Sequence, residues 1–122
     1  MSPGKPSMQR RAAKYLWDAA EACGLTIEFV QDRTFAEYER DVMLRSAVER
    51  QLSIVGEALN RFRQLAPEDA LRLSDLATVI AFRNVLVHNY SDVNMAAVWA
   101  IATERVAPLN DELQALLREA TE

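Results

Sequence analysis

The residues of this chain with the clearest chemical potential lie close together between positions 83 and 90. Arg83 is followed five residues later by His88, the only histidine in the sequence, and Tyr90 comes two residues after that. A histidine can exchange a proton near neutral pH, whereas an arginine keeps its charge and can hold a phosphate through two parallel hydrogen bonds. The pattern therefore predicts an acid or base, His88, beside a phosphate-binding group, Arg83.

The same residues also have a purely structural interpretation. Arg83 can be a solvated surface charge, His88 a residue favoured by the dipole at a helix C-terminus, and Tyr90 an anchor for the following loop. Asn84 can bond a phosphate or orient His88, or it can be a helix-surface amide. Glu57 is an acid among apolar neighbours in an earlier helix. It can position Arg83, or it can simply face solvent.

Other familiar catalytic and binding motifs are missing from the sequence. His88 and Cys23 are the only residues of their types, which is too few for the usual zinc sites. The acids are scattered along the helices and not clustered as a magnesium site would need. The sequence also has no P-loop, no dinucleotide-binding fingerprint and no nucleophile-elbow serine. We therefore expect neither a metal nor a cofactor.

Composition indicates which kind of scaffold must position these residues. The chain has 122 residues, of which 50% are apolar and 26% charged, a balance typical of one globular domain. Three glycines and four prolines give few turn signals, which favours long helices joined by short loops. The net charge of −4 argues against broad adhesion to nucleic acid but allows a local basic patch.

The apolar periodicity predicts an all-α fold, a four- to five-helix up-and-down bundle. We expect a disordered tail over residues 1–7 and a single helical domain over 8–120. Pro108 lies inside the last helix and should kink it near Glu104 or Arg105. The predicted helices run from about 7 to 31, from a capping box at Thr34 into a short turn of helix, from about 41 to 64, from about 75 to 87, and onward from Asn94.

The helix over about 41–64 carries two apolar edges. Its main stripe steps by three and four residues, and a second edge is formed by Ala47, Ile54 and Ala58. Five residues of an ideal helix turn by about 500°, which leaves Arg83 and His88 roughly 140° apart. Either the helix unwinds before His88, or two chains assemble the site at a dimer axis. The second apolar edge favours the homodimer.

The cysteine count and the lengths of the apolar stretches predict where the protein is found in the cell. Cys23 has no second cysteine to pair with, and no stretch approaches the roughly 20 apolar residues of a membrane span. The first residues lack the apolar run of a signal peptide. We therefore expect a cytoplasmic protein that does not enter membranes. Trp17 and Trp99 are expected in the core and not as platforms for nucleic-acid bases.

The segment from Arg83 to Tyr90 resembles the Arg-x-x-x-x-His-x-Tyr motif of the HEPN superfamily, specifically its HepT-like toxin branch. Residues 83–88 resemble the "RN-x-LVH" core of that branch, residues 54–58 its "iGEA" segment, and residues 98–99 the aromatic helix that follows. The resemblance extends from about residue 8 to 117. One departure is Asn89, where many relatives carry glycine; it should alter the local backbone and not the chemistry.

The resemblance implies a HEPN-like homodimer that cleaves RNA without metal, with Arg83 and His88 at a site on the dimer interface. It implies that this endoribonuclease is the toxin of a type VII-like toxin–antitoxin system. The expected partner is a minimal nucleotidyltransferase antitoxin, which would neutralise the toxin by AMPylation of Tyr90. The alternative is a non-catalytic helical module that binds a protein or a nucleotide. The acidic net charge and the single histidine both suit that alternative.

Overall fold

The computed structural model describes residues 9–81 and 94–120, and every regular element within these ranges is helical. The prediction of an all-α helical bundle is confirmed. The predicted tail over residues 1–7 lies outside the described residues, and the domain bounds of 8–120 stay a prediction. The elements are α1 Arg10–Val30, α2 Phe35–Arg40, α3 Val42–Leu65, α4 Pro67–Ala70, α5 as described over residues 76–81, α6 Met95–Ala100, a π-helical turn Ile101–Arg105, and α7 Val106–Ala120.

Helix α1 packs mainly against α3 and α7. Alanine dominates its buried face, and such small side chains let two neighbouring helices approach one backbone closely. The buried polar residue of this face, Thr26, donates a hydrogen bond from its hydroxyl to the carbonyl oxygen of Ala22 at 2.8 Å. Burial therefore leaves that hydroxyl satisfied.

Helix α3 supplies the longest apolar stripe of the core. Every residue of the main stripe predicted from the sequence is buried: Leu44, Val48, Leu52, Val55, Leu59 and Phe62. Full burial of such a side chain contributes about 1.5–3 kcal/mol relative to exposure. The periodicity of this helix therefore predicted the correct inward face.

Among the described residues, none of the helices combines the length and the apolar character that a membrane span requires.

The turn between α1 and α3 is fixed by two helix caps. The predicted capping box is present: the Thr34 hydroxyl accepts from the amide of Glu37 at 3.1 Å, and the Glu37 carboxylate accepts from the amide of Thr34 at 2.9 Å. Asp41 caps α3 by accepting from the amide of Leu44 at 3.0 Å. That hydrogen bond holds the pKa of Asp41 below its usual range. Both caps satisfy amide groups at the start of a helix that have no partner within the helix itself.

The last helix is interrupted close to the predicted position. Residues Ile101–Arg105 form a π-helical turn, in which the amide of Val106 donates to the carbonyl oxygen of Ile101, five residues earlier. Pro108 follows shortly afterwards and has no amide hydrogen to give to the carbonyl of Glu104. A turn wider than an α-helical turn thus lies beside the lost backbone bond, where the sequence predicted a kink.

Candidate functional site

Four of the five predicted site residues, Arg83, Asn84, His88 and Tyr90, lie outside the residues that the structure describes. The fifth, Glu57, is described and lies exposed on α3. It lines a groove between α1 and α3. The structure therefore places Glu57, while its pairing with Arg83 and the roles of the other four residues stay predictions.

The helices on either side of residues 82–93 are anchored in the bundle. Val79 of α5 is buried and lines a small apolar cavity with Leu52 and Val55 of α3. On the other side, the Asn94 side chain accepts from the amide of Ala97 at 3.1 Å and caps α6, as predicted. Packing thus positions the described residues that precede the motif, and a helix cap positions those that follow it.

The chain between α4 and α5 is also tied to the end of the final helix. The guanidinium of Arg72 donates two hydrogen bonds to the carboxylate of Glu119, and the Ser74 hydroxyl donates to Glu112 at 2.8 Å. These side chains are exposed, so solvent screens the pairs and each contributes little to stability. Arg105 also donates a hydrogen bond to Asp75, the residue before α5, at 3.4 Å.

The groove between α1 and α3 has a volume of about 450 Å³ and one apolar wall on each helix. Tyr15 and Leu25 line it from α1, and Ile54 and Ala58 line it from α3. Ile54 and Ala58 belong to the second apolar edge that the sequence predicted. Ile54 is only partly buried within this chain. The α1/α3 groove therefore contains the surface on which the predicted dimer depends.

Charged side chains surround these apolar walls. Asp18, Glu21 and Glu57 lie among the lining residues with one arginine, Arg50. Asp18 is partly neutralised by Lys14, whose ammonium nitrogen lies 3.1 Å from its carboxylate oxygen. An apolar floor with mixed charges at its edge is typical of protein–protein interfaces.

Trp17 was predicted in the core, and this prediction is wrong. Its side chain is 55% exposed and lies on the outer face of α1. The physical reason is angular: each residue advances a helix by about 100°, so Trp17 points well away from the buried Leu16. The position of Trp17 outside the apolar stripe was the signal in the sequence that could have revealed its exposure.

Trp99 was also predicted in the core, and the structure places it at the edge of the core, where it is partly buried. It packs against the core beside Tyr38 of α2, with ring centroids 5.1 Å apart. The hydroxyl of Tyr38 is buried and has no hydrogen-bond partner among the described residues. Burial raises the pKa of Tyr38, and the nearby charge of Glu49 raises it further. Tyr38 therefore stays protonated at physiological pH and acts here as packing.

The other chemically notable residue in the described part of the chain is Cys23. It lies fully buried on α1, and burial raises the pKa of its thiol to about 12. A thiol in this state supplies almost no nucleophilic thiolate near neutral pH. Within residues 9–81 and 94–120, no group of three or more histidine, cysteine or acidic side chains is arranged to hold a metal ion.

Comparison with known proteins gives one family and several relatives. Residues 19–116 match the family described as Ribonuclease HepT-like. A protein of Methanocaldococcus jannaschii named as RNase MJ1380 is 31% identical over 112 residues, covering 88% of this chain and 98% of that protein. A protein of Thermococcus cleftensis named as ribonuclease HepT is 32% identical over 113 residues, covering 89% and 98%. No solved structure matches the chain.

Proposed function

Because this chain belongs to the HepT-like ribonuclease family, we propose that it is a metal-independent endoribonuclease and the toxin of a type VII-like toxin–antitoxin system. The observation that carries the proposal is the family match, which spans residues 19–116 and so includes the motif from Arg83 to Tyr90. The two relatives above, which are named as ribonucleases, align over nearly their whole length.

In the chemistry proposed for Arg83 and His88, the 2′-oxygen forms a bond to the neighbouring phosphorus while the bond from that phosphorus to the 5′-oxygen breaks. One group must take the proton of the 2′-hydroxyl, and an acid must give a proton to the leaving 5′-oxygen. His88 fills one of these two roles, as the base for the 2′-hydroxyl or as the acid for the 5′-oxygen. Arg83 holds the phosphate through its planar fork and stabilises the negative charge that develops on the phosphate oxygens. Asn84 orients His88 or the phosphate, and Glu57 positions Arg83.

We propose further that the active form is a homodimer. The second apolar edge of α3 supports this, because Ile54 lies in an open groove with apolar walls and charged surroundings. On one straight helix, Arg83 and His88 lie roughly 140° apart. At a dimer axis this separation is no obstacle, because each site can contain residues from both chains. Stable homodimer interfaces are mostly apolar at their centres, as this groove is.

Sedimentation at micromolar concentration should give twice the mass of one chain. Replacing Ile54 with lysine should shift the equilibrium to the monomer, because the new charge must lose water in the interface. Leu71→Lys is the matched control, since Leu71 is 86% exposed and lies outside the α1/α3 groove. A parent chain that sediments as a monomer contradicts the dimer. Equal weakening of the dimer by both variants contradicts the assigned face.

Cleavage should proceed in excess EDTA and should leave a 2′,3′-cyclic phosphate and a 5′-hydroxyl. Both expectations come from a mechanism in which the 2′-oxygen is the nucleophile and protein groups supply the charge stabilisation. Digestion of a labelled RNA with end-group analysis tests them together. Loss of cleavage in EDTA, or a product with a 5′-phosphate, is incompatible with this mechanism.

We propose that the antitoxin is a nucleotidyltransferase that attaches AMP to Tyr90. The added group is a bulky anion, so it would compete with the RNA phosphate for Arg83 and repel the incoming strand. The chain should therefore arrest growth when expressed alone and be harmless when the nucleotidyltransferase is co-expressed. Its intact mass should then increase by one or more AMP units.

Tyr90→Phe separates this mechanism from a packing role for Tyr90, because it keeps the ring and removes the oxygen that would accept AMP. The variant should remain folded and toxic, and the nucleotidyltransferase should no longer modify it. An unmodified parent chain after co-expression would refute AMPylation. A Phe variant that is still modified would place the modification on another residue.

A further inference from the structure

The outer face of α1 borders a second groove, formed with α7, which does not include Glu57, the described residue of the proposed site, and which shares Trp17, Glu21 and Leu25 with the α1/α3 groove. This α1/α7 groove has a volume of about 240 Å³ and is lined by Trp17, Ala20, Glu21, Gly24, Leu25 and Glu28 of α1 and by Asn110, Gln114 and Leu117 of α7. Trp17, more than half exposed, forms part of its wall. A large aromatic side chain that a monomer leaves in water is a typical anchor for a partner protein.

Gly24 gives this groove a gap in the helix surface. It lies in the interior of α1, where glycine is less favourable than alanine. A Cβ atom at this position would meet no neighbouring atom within 4 Å, so packing inside the chain does not require glycine there. Glycine is useful where another backbone must approach closely. Glycine at position 24 therefore costs helix stability without serving a close contact among the described residues.

The charges around Gly24 restrict what can fill the gap. Glu21 and Glu28 are exposed and lie on either side of it, and no lysine or arginine is found among the described residues that line the groove. RNA would be repelled by these carboxylates. A second copy crossing antiparallel at Gly24 would bring Glu21 against Glu28 of the other copy, which is also repulsive. Because both carboxylates are negative, this surface attracts a partner with positive charges.

We propose that the α1/α7 groove binds an amphipathic helix of a different protein, with an apolar stripe flanked by lysine or arginine. The apolar stripe lies over Gly24 and contacts Trp17 and Leu117, while the basic residues face Glu21 and Glu28. Asn110 and Gln114 offer amide groups to the polar edge of the incoming helix. This inference does not rest on the catalytic assignment, because it is built on described residues of α1 and α7 alone.

Two synthetic helical peptides test the charge requirement on the full-length chain. Both carry the same leucine and alanine stripe, about as long as α1, and the flanking positions are lysine in one and glutamate in the other. Fluorescence anisotropy should show saturable binding of the lysine peptide, at least about tenfold tighter than the glutamate peptide and weaker in high salt. Equal binding of the two peptides, or no saturable binding of the lysine peptide, overturns the proposal.

Charge reversal on the protein shows whether the peptide uses this groove. Glu28→Lys should remove the preference for the lysine peptide, and it is suitable because Glu28 lines this groove and does not line the α1/α3 groove. Glu39→Lys is the matched control, because Glu39 is exposed and does not line this groove. The control variant should bind like the parent. If both variants remove the preference equally, the attraction is general to the acidic chain and the groove is not the site.

Gly24→Gln tests the close approach separately from the charges. The new side chain enters open space, so the fold should keep or gain stability, by up to a few degrees in melting temperature. The same side chain fills the gap, so binding of the lysine peptide should weaken at least about tenfold. A merely structural glycine would not move stability and binding in opposite directions. Unchanged binding by a folded Gly24→Gln variant contradicts the proposed position of the bound helix over Gly24.

Discussion

Replacing His88 with alanine should lower the rate of RNA cleavage by about 10²–10⁴-fold, the typical loss when a general acid or base is removed. Arg83→Ala should have an effect of about 10²–10³-fold, because one stabilising group for the developing phosphate charge disappears. The rates are measured with a labelled RNA and purified chains at matched concentration. Parental rates in both variants would show that the catalytic assignment is wrong.

The control for the arginine is Arg83→Lys, which keeps the positive charge and loses the planar fork. If Arg83 binds the phosphate through two parallel hydrogen bonds, lysine should restore only part of the lost activity. Full activity with lysine would mean that charge alone matters at this position. Thermal melts of all three variants must match the parent, so that a lost fold is not taken for lost chemistry.

Phe62→Ala should lower the free energy of unfolding by about 3–5 kcal/mol. Phe62 is fully buried, at the end of the apolar stripe of α3, so truncation leaves a cavity in the core. The loss is large against the 5–15 kcal/mol that typically separates a folded domain from its unfolded state. Urea unfolding should show a lower midpoint with an unchanged slope.

The matched control for Phe62 is Leu71→Ala, which truncates an apolar side chain that is already 86% exposed. Its effect should stay within about 0.5 kcal/mol, as for most surface substitutions. A cost below about 1 kcal/mol for Phe62→Ala would mean that the core relaxes around the missing ring. The inward face assigned to α3 would then need revision.

Periodicity and local capping explain how much of this fold could be predicted from the sequence. The stripe from Leu44 to Phe62 recurs every three to four residues, and this spacing both makes the helix and selects its buried face. The Thr34 capping box depends on residues three apart, so it too is readable locally. The exposure of Trp17 depends on its angle on α1, so its large apolar side chain alone predicts its position wrongly.

Features that join distant parts of the chain could not be predicted in this way. The α1/α7 groove brings residues near Gly24 beside residues near Gln114, and no local spacing encodes that meeting. Pro108 indicated where a backbone bond is lost, but whether the helix kinks or widens depends on tertiary packing. For the site, the sequence identifies Arg83 and His88 as candidates and shows that one straight helix would hold them about 140° apart. The proposed dimer would bring such residues together, but it involves a second chain, which local spacing does not describe.

The π-helical turn at Ile101–Arg105 also changes how the end of the chain can be used. A turn of this kind holds one residue more than an α-helical turn, and one residue corresponds to about 100° of rotation. The two halves of the last helix are therefore out of phase with each other. The first half turns Trp99 toward the aromatic ring of Tyr38, and the second turns Leu113 and Leu116 into the core beside α1. The last helix thus contacts the ring of Tyr38 through its first half and the core beside α1 through its second half.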